Sequence, residues 1–246
     1  MTRFEIQNTV ALVTGTNKPR GIGRAIVEEL LAAGAAKVYA TARSKAQLQD
    51  LVDRHGDRVV AIELDVTDPA SIRAAVVAAP DVALLVNNSG LAVMADGLGD
   101  VDGARREMDV NYFGPMQLTN AFAPVLAQNG GGAVVNTLSI ASHVNFATLV
   151  TYSASKAAAH SLTMAQRREL AAQGTRVIGV YPGPIDTEMA KDVPMEKVPA
   201  DTVGRALVEA LRNGVEDVFP DPTAQGLYGQ WRDDPKAVER AMASAS

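Results

Sequence analysis

Thr9 to Thr14 (Thr-Val-Ala-Leu-Val-Thr), then Gly15, Thr16, Asn17, Lys18, Pro19, Arg20, Gly21, Ile22 and Gly23, form the stretch that decides the fold. The first six residues are a short apolar run of strand type, and a helical pattern begins near Gly21 and continues to Ala33 before Gly34. In the order strand, glycine turn, helix, the glycines let backbone approach a pyrophosphate at a helix N-terminus. A glycine-rich turn elsewhere is an ordinary loop. At the start of an α/β pattern it reads as a dinucleotide-binding loop built from Gly15, Asn17, Lys18, Arg20, Gly21, Ile22 and Gly23.

Working outward, apolar strand runs alternate with helical segments. Strands are expected at Lys37 to Thr41, Arg58 to Leu64, Val82 to Val86, Ala133 to Leu138, Arg176 to Tyr181 and Glu216 to Phe219. Ser44 is placed to cap the helix after the second strand, and Asp68 before Pro69 to cap a helix over Ala70 to Ala79, which Pro80 stops. A long helix is expected from about Asp102 to Gln128, ended by Gly130 to Gly132, and further helices at Thr151 to Gln173 and Asp201 to Arg212. Pro220 and Pro222 stop the last strand, Asp234 and Pro235 start a short terminal helix, and the final Ala-Ser-Ala-Ser should fray. This alternation predicts an α/β fold: a single-domain, Rossmann-type, doubly wound, seven-stranded parallel sheet with helices on both faces, spanning residues 1–246. The Pro- and Met-containing segment after Tyr181 is long for a connection in a compact domain, so residues 184–200 are expected to form a substrate loop.

Composition narrows the chemistry. The 246 residues are 47% hydrophobic, enough for one large core, and hold no cysteine, which removes disulfides, thiol nucleophiles and Cys-based zinc sites and suits a reducing, cytoplasmic setting. His55, His143 and His160 show no metal-ligand spacing, and no metal is assigned. A net charge of -5 and pI near 5.3 speak against a general nucleic-acid or membrane surface. Neither a signal-peptide pattern nor an apolar run long enough to cross a bilayer is visible.

The choice of nicotinamide cofactor turns on the end of the second strand. Rossmann-type sites commonly place a carboxylate there for the adenine ribose 2′-hydroxyl. Here the strand ends Thr41, Ala42, Arg43: Arg43 can fork onto a 2′-phosphate, and Lys18 or Arg20 can reach it from the loop. NADP(H) is therefore preferred with NAD(H) possible, solvated surface arginines being the other reading.

Tyr152 and Lys156 stand four apart, on one face of the expected helix, and Ser139 lies thirteen residues before the tyrosine. A lone Tyr-x-x-x-Lys pair is common on helix surfaces. Beside a cofactor loop it becomes a site, because a cation next to a phenol favours phenolate and brings a group that titrates near roughly 10 toward working range.

With these pieces assembled, the chain resembles the short-chain dehydrogenase/reductase family from Val10 to about Phe219. Asp65 and Val66 match the position that holds the adenine ring. Asn87, Asn88, Ser89 and Gly90 resemble the family's Asn-Asn-Ala-Gly, and Asn111, Ser139, Tyr152 and Lys156 match its catalytic tetrad. Pro182, Gly183 and Thr187 resemble the segment that meets the nicotinamide carboxamide, with Ile185 offering backbone contacts. The resemblance implies hydride transfer between nicotinamide and a carbonyl carbon: Tyr152 donates the proton, Ser139 holds the oxygen, Lys156 lowers the tyrosine and binds the ribose, and Asn111 helps position a water. Five residues separate Gly15 from Gly21 where the family usually has three. The lengthened loop is similar to that of the enoyl reductase branch, but the short Tyr152–Lys156 spacing is not. Ser89 replaces alanine, and Ser142 stands where glycine is common.

The expected activity is an NADPH-dependent carbonyl reductase or alcohol dehydrogenase acting reversibly on a ketone, aldehyde or secondary alcohol, with Val93, Met94, Val144, Phe146, Met189 and Met195 as a possible apolar pocket wall. The alternatives are an NAD-linked alcohol or sugar dehydrogenase and a non-catalytic NADP-sensing binding protein. The resemblance also implies a homotetramer or homodimer joined through the two long helices.

Overall fold

The computed structural model describes residues 3–95, 97–191 and 195–244. Residues 192–194 of the expected substrate loop, and the last two of the fraying Ala-Ser-Ala-Ser, lie outside the described residues.

The strands are β1 (Val10–Val13), β2 (Lys37–Ala42), β3 (Val59–Glu63), β4 (Leu84–Asn87), β5 (Ala133–Thr137), β6 (Arg176–Val180) and β7 (Asp217–Val218). Among the described residues they make one seven-stranded sheet in the order β3-β2-β1-β4-β5-β6-β7, every pairing parallel. The inner strands are buried on both faces, so their side chains alternate between two cores, while the edge strands β3 and β7 leave Val60, Glu63 and Asp217 exposed. Ala11, Val13, Leu84, Val86, Val135 and Ile178 join the core under α1 (Ile22–Ala32), α2 (Gln49–His55) and α7 (Ala200–Asn213). Leu12, Leu85, Val134 and Val177 face the other core, under α3 (Pro69–Ala78), α5 (Gly114–Gln128) and α6 (Val150–Leu170). Each fully buried Leu or Val contributes roughly 1.5–3 kcal/mol, and a one-residue slip would exchange the two faces.

Strand order reverses direction between β1 and β4, and in open α/β sheets ligands bind outside the carboxyl ends of strands at that point. Three details differ from the sequence expectations. Ser44 makes no side-chain cap, and a 3₁₀ turn at Lys45–Leu48 leads into α2. The expected long helix is interrupted: α4 (Val101–Met108) passes through a π-helical turn at Asp109–Phe113 into α5. Pro222 ends nothing. It opens α8 (Pro222–Asp233), for which Asp221 is the cap, and α9 (Pro235–Ser244) follows. Among the described residues no helix is long and apolar enough to cross a membrane, and no group of three or more His, Cys, Asp or Glu could hold a metal ion.

Candidate active site

The mouth of the switch point is tied together by side chains on backbone. Thr14, at the end of β1, accepts from the Asn88 and Ser89 amides, both at 2.8 Å, while Asn88 Nδ2 donates to the carbonyls of Thr14 (2.8 Å) and Gly15 (3.3 Å). Gly15 sits at φ 69°, and a Cβ there would lie 3.0 Å from Ser89 Cα. A Cβ on Gly23 would fall 2.5 Å from both Asn88 Nδ2 and the Gly15 carbonyl oxygen, so glycine is needed for this approach. The lengthened loop is closed by a turn from the Gly21 amide to the Lys18 carbonyl, 2.8 Å. Beneath it the buried Arg24 donates to the Thr16 carbonyl (3.1 Å) and forks onto Asp50 at 2.6 and 3.2 Å, holding Asp50 below the usual carboxylate range.

Where α3, α4 and α8 are capped by Asp68, Asp100 and Asp221, α1 begins at Gly21 with no capping side chain and no acid in its first turn. Its free amides, with the exposed Lys18 and Arg43 nearby in sequence and at the end of β2, are a donor set for an anion. Arg20 is differently engaged: it pairs with Asp186 at 2.5 Å, tying the glycine loop to the segment after β6. Both side chains are more than half exposed, so the pair is worth little and an anion can compete for Arg20. Asp65 is held low chiefly by hydrogen bonds from the Thr67 hydroxyl and amide, both onto Oδ1. Val66, buried, packs beside Gly114.

The four resemblance-matched polar residues come from separate elements. Asn111 lies in the π turn, where helix geometry departs from the i+4 ladder. Its amide is spent on protein: Oδ1 accepts from the Leu91 amide (2.9 Å), and Nδ2 donates to the Leu91 carbonyl (2.8 Å) and Ser155 Oγ (2.9 Å). The side chain therefore locks the segment after Gly90 to α6, with both amide hydrogens spent on protein. A Cβ on Gly90 would sit 3.6 Å from Asn111 Oδ1 and 3.9 Å from Lys156 Nζ, which brings these three residues to one place.

Ser139 follows β5 and caps a 3₁₀ turn at Ile140–Ser142, its Oγ accepting from the Ala141 amide (3.1 Å) and donating to the Pro182 carbonyl (3.4 Å). Tyr152 and Lys156 share one face of α6, with Nζ 5.7 Å from the tyrosine ring centroid. Lys156 is 4% exposed and donates to the Thr137 carbonyl at 2.8 Å.

Without cofactor, desolvation acts against the lowered phenol that the spacing leads one to expect. Desolvation pushes Tyr152, only partly buried by surface area, up to about 12; a hydrogen bond with Ser139 opposes the rise and the negative charge of Glu107 adds to it. Burial also pushes Lys156 down, to about 8. Desolvation is the first cause for both groups, and in the cofactor-free chain Tyr152 keeps its proton at neutral pH.

After β6, the Pro182 carbonyl also accepts from the Ile140 amide (2.9 Å), and the Gly183 amide donates to Asp221 (2.7 Å). Ile185 bridges to Val198, and Thr187 Oγ1 donates to the Ile185 carbonyl at 3.4 Å. Of the expected apolar wall, Val144 is buried, while Met94, Met189 and Met195 are 48%, 52% and 41% exposed. Residues that sequence reasoning missed are Thr14, Arg24, Asp50, Glu107 and Asp221. Glu107 is wholly buried; one carboxylate oxygen accepts from the Val93 amide (2.7 Å) and the other has no hydrogen-bond partner among the described residues. The Asp-Pro pair at 221–222 was a visible cap signal, but a charged Arg24 or Glu107 inside a helix reads as solvent-facing.

Comparison with known proteins agrees with this geometry. A family model for short chain dehydrogenases matches residues 9–197. A short chain dehydrogenase of Burkholderia cenocepacia, solved in complex with NADP, is 41% identical with a TM-score of 0.90, over 97% of this chain and 98% of that one. The 3-oxoacyl-(acyl-carrier-protein) reductase of Vibrio cholerae is 34% identical over 199 residues, 76% of this chain and 78% of the relative. A galactitol 2-dehydrogenase (L-tagatose-forming) of Cereibacter sphaeroides is 36% identical over 197 residues, 76% of each. Sheet order, glycine loop and family match converge on one conclusion: the chain is an oxidoreductase of the short-chain dehydrogenase family.

Proposed function

We propose that the protein is an NADPH-dependent carbonyl reductase, working in reverse as an alcohol dehydrogenase on secondary alcohols. The observation that carries this reading is the meeting of Tyr152 with Ser139 and Lys156, the lysine lying beside Gly90, near a glycine loop whose helix is left uncapped. Gly15, Asn17, Lys18, Gly21, Ile22 and Gly23 would cradle the pyrophosphate, Asp65 and Val66 the adenine, and Asn88, Ser89, Gly90, Pro182, Gly183, Ile185 and Thr187 the nicotinamide end. Arg43, exposed after β2 where no carboxylate stands, would take the 2′-phosphate, with Arg20 joining once it leaves Asp186. That the related Burkholderia enzyme was solved with NADP supports this choice. Residues 184–200 would close over the substrate.

Bound NADPH would supply the hydride to the carbonyl carbon. Tyr152, held at about 12, carries its proton at neutral pH, as a general acid for reduction must. Ser139, turning its one hydroxyl hydrogen from the Pro182 carbonyl, would donate to the same carbonyl oxygen and fix its position. As the proton leaves Tyr152, the neighbouring Lys156, mostly charged at pH 7, stabilises the phenolate in a site of low dielectric. Asn111 would hold the segment after Gly90 against α6 for this transfer. Oxidation of an alcohol needs the phenolate at the start, so that direction is favoured at alkaline pH.

The enzyme would be cytoplasmic, in keeping with its lack of cysteine, and a homodimer or homotetramer. Phe113 and Met164, 40% and 50% exposed on the two long helical segments, support that assembly. The test is NADPH and NADH oxidation over a panel of ketones, aldehydes and ketoses. Higher kcat/KM with NADPH is expected; higher kcat/KM with NADH on sugars favours the NAD-linked alternative, and cofactor binding without turnover favours a sensor.

A further inference from the structure

We infer that Asp221 is a positioning residue for catalysis, acting through the Pro182–Gly183 peptide on the hydroxyl of Ser139. The inference rests on the role proposed above for Ser139. It concerns a residue beyond position 197, where the match to the family model ends.

One peptide plane carries the connection. Its carbonyl, that of Pro182, accepts from the Ile140 amide at 2.9 Å and from Ser139 Oγ at 3.4 Å. Its N–H, that of Gly183, donates to Asp221 Oδ2 at 2.7 Å. The peptide is thus held from both sides and cannot rotate without breaking a bond at one of them.

Asp221 itself is 2% exposed, and its other oxygen accepts from the Ala224 amide at 2.9 Å, capping α8. One buried carboxylate joins the first turn of a C-terminal helix to the turn that bears the reacting hydroxyl. Two backbone N–H donors and the N-terminal end of α8 stabilise its charge. Residue 183 must be glycine because a Cβ there would lie 2.5 Å from Asp221 Oδ1. That same lack of a side chain leaves the peptide free to turn once the carboxylate is gone.

A second contact reinforces the first. Tyr228 and Trp231, farther along α8, place their rings 5.1 and 4.7 Å from His143, directly after the Ile140–Ser142 turn that Ser139 caps. The turn is therefore held by α8 at its far end and, through the peptide, by the cap of α8 at its near end.

The test separates capping from positioning. Asp221→Ser keeps a good helix cap but is too short to reach Gly183 as well. Asp221→Asn keeps one acceptor oxygen and turns an NH₂ toward the other N–H. Each variant is made alone and in a Ser139→Ala background, and kcat for ketone reduction and the Kd of NADPH, by fluorescence titration, are measured. The expected result is a fall of about tenfold in kcat for either Asp221 variant, the scale on which small misplacements cost rate, with little change in NADPH Kd. In the Ser139→Ala background the further loss should nearly vanish, because the hydroxyl being positioned is absent. Should Asp221→Ser not fold, Asp221→Asn gives the same comparison. Unchanged kcat overturns the inference, as does an equal loss in both backgrounds. If the wild type reduces no carbonyl with either cofactor, it is the proposed function that has failed.

Discussion

Replacing Lys156 by methionine should make the cofactor-free protein more stable at pH 7 while abolishing its activity. Lys156 is 4% exposed, and burial holds it at about 8 against an ordinary 10.5. Below pH 8 its charged form costs about 3 kcal/mol relative to the unfolded chain. Methionine has a stem of similar length and no charge, so that cost disappears. Lost with it is the Nζ hydrogen bond to the Thr137 carbonyl, which offsets about 1–2 kcal/mol. The net gain is about 1–2 kcal/mol, or roughly 2–8 °C in Tm for a chain of this size. The sign must change with pH. Between about 8 and 10.5 the unfolded lysine binds more protons than the folded one, so wild-type stability rises with pH relative to a variant that lacks the group. The advantage of Lys156→Met should shrink through this window, and near pH 10 the lost hydrogen bond should leave the variant level with the wild type or below it. Thermal unfolding followed by circular dichroism at pH 7, 9 and 10 without cofactor decides the matter. A variant less stable than the wild type at pH 7, or a difference that ignores pH, would refute the claim that desolvation governs this lysine.

Two other perturbations probe the same site. Arg43→Ala should raise KM for NADPH by about 10- to 100-fold, the worth of a charge-assisted fork on phosphate, with KM for NADH nearly unchanged; equal effects on the two cofactors would remove Arg43 from the 2′-phosphate. Glu107→Gln keeps an acceptor for the Val93 amide and removes a negative charge that raises Tyr152. Its alkaline limb for alcohol oxidation should therefore move to lower pH, by up to about 1 pH unit, and a limb that stays in place or moves upward counts against that electrostatic link.

How much of this was legible in the chain depends on whether the deciding physics is local. Strands such as Leu84–Asn87 and Ala133–Thr137 are short apolar runs between glycine or proline signals, and the Asp68–Pro69 cap fixed a helix start to within a residue. The same Asp-Pro signal recurs at Asp221, yet two prolines after a strand read as a stop and hide the start of α8. The π turn at Asn111 breaks the 3.6-residue period only locally, so the segment looks like one long helix. The acidity of Tyr152 is not a local property. The spacing puts Lys156 on its face, but how much water reaches either group depends on β5, α4 and the segments after β4, none of which is near them in sequence. Arg20, an exposed arginine in the loop, reads as a phosphate ligand because its partner Asp186 stands 166 residues away in the chain.

The most direct test of the central claim is ketone reduction by the wild type and by Tyr152→Phe with NADPH, measured with NADPH binding on the same samples. A wild type that turns over, and a variant that binds NADPH normally but reduces the ketone about 10²- to 10⁴-fold more slowly, is the result expected of a general acid. A variant that keeps most of the wild-type rate would contradict the assignment of Tyr152 and with it the proposed chemistry.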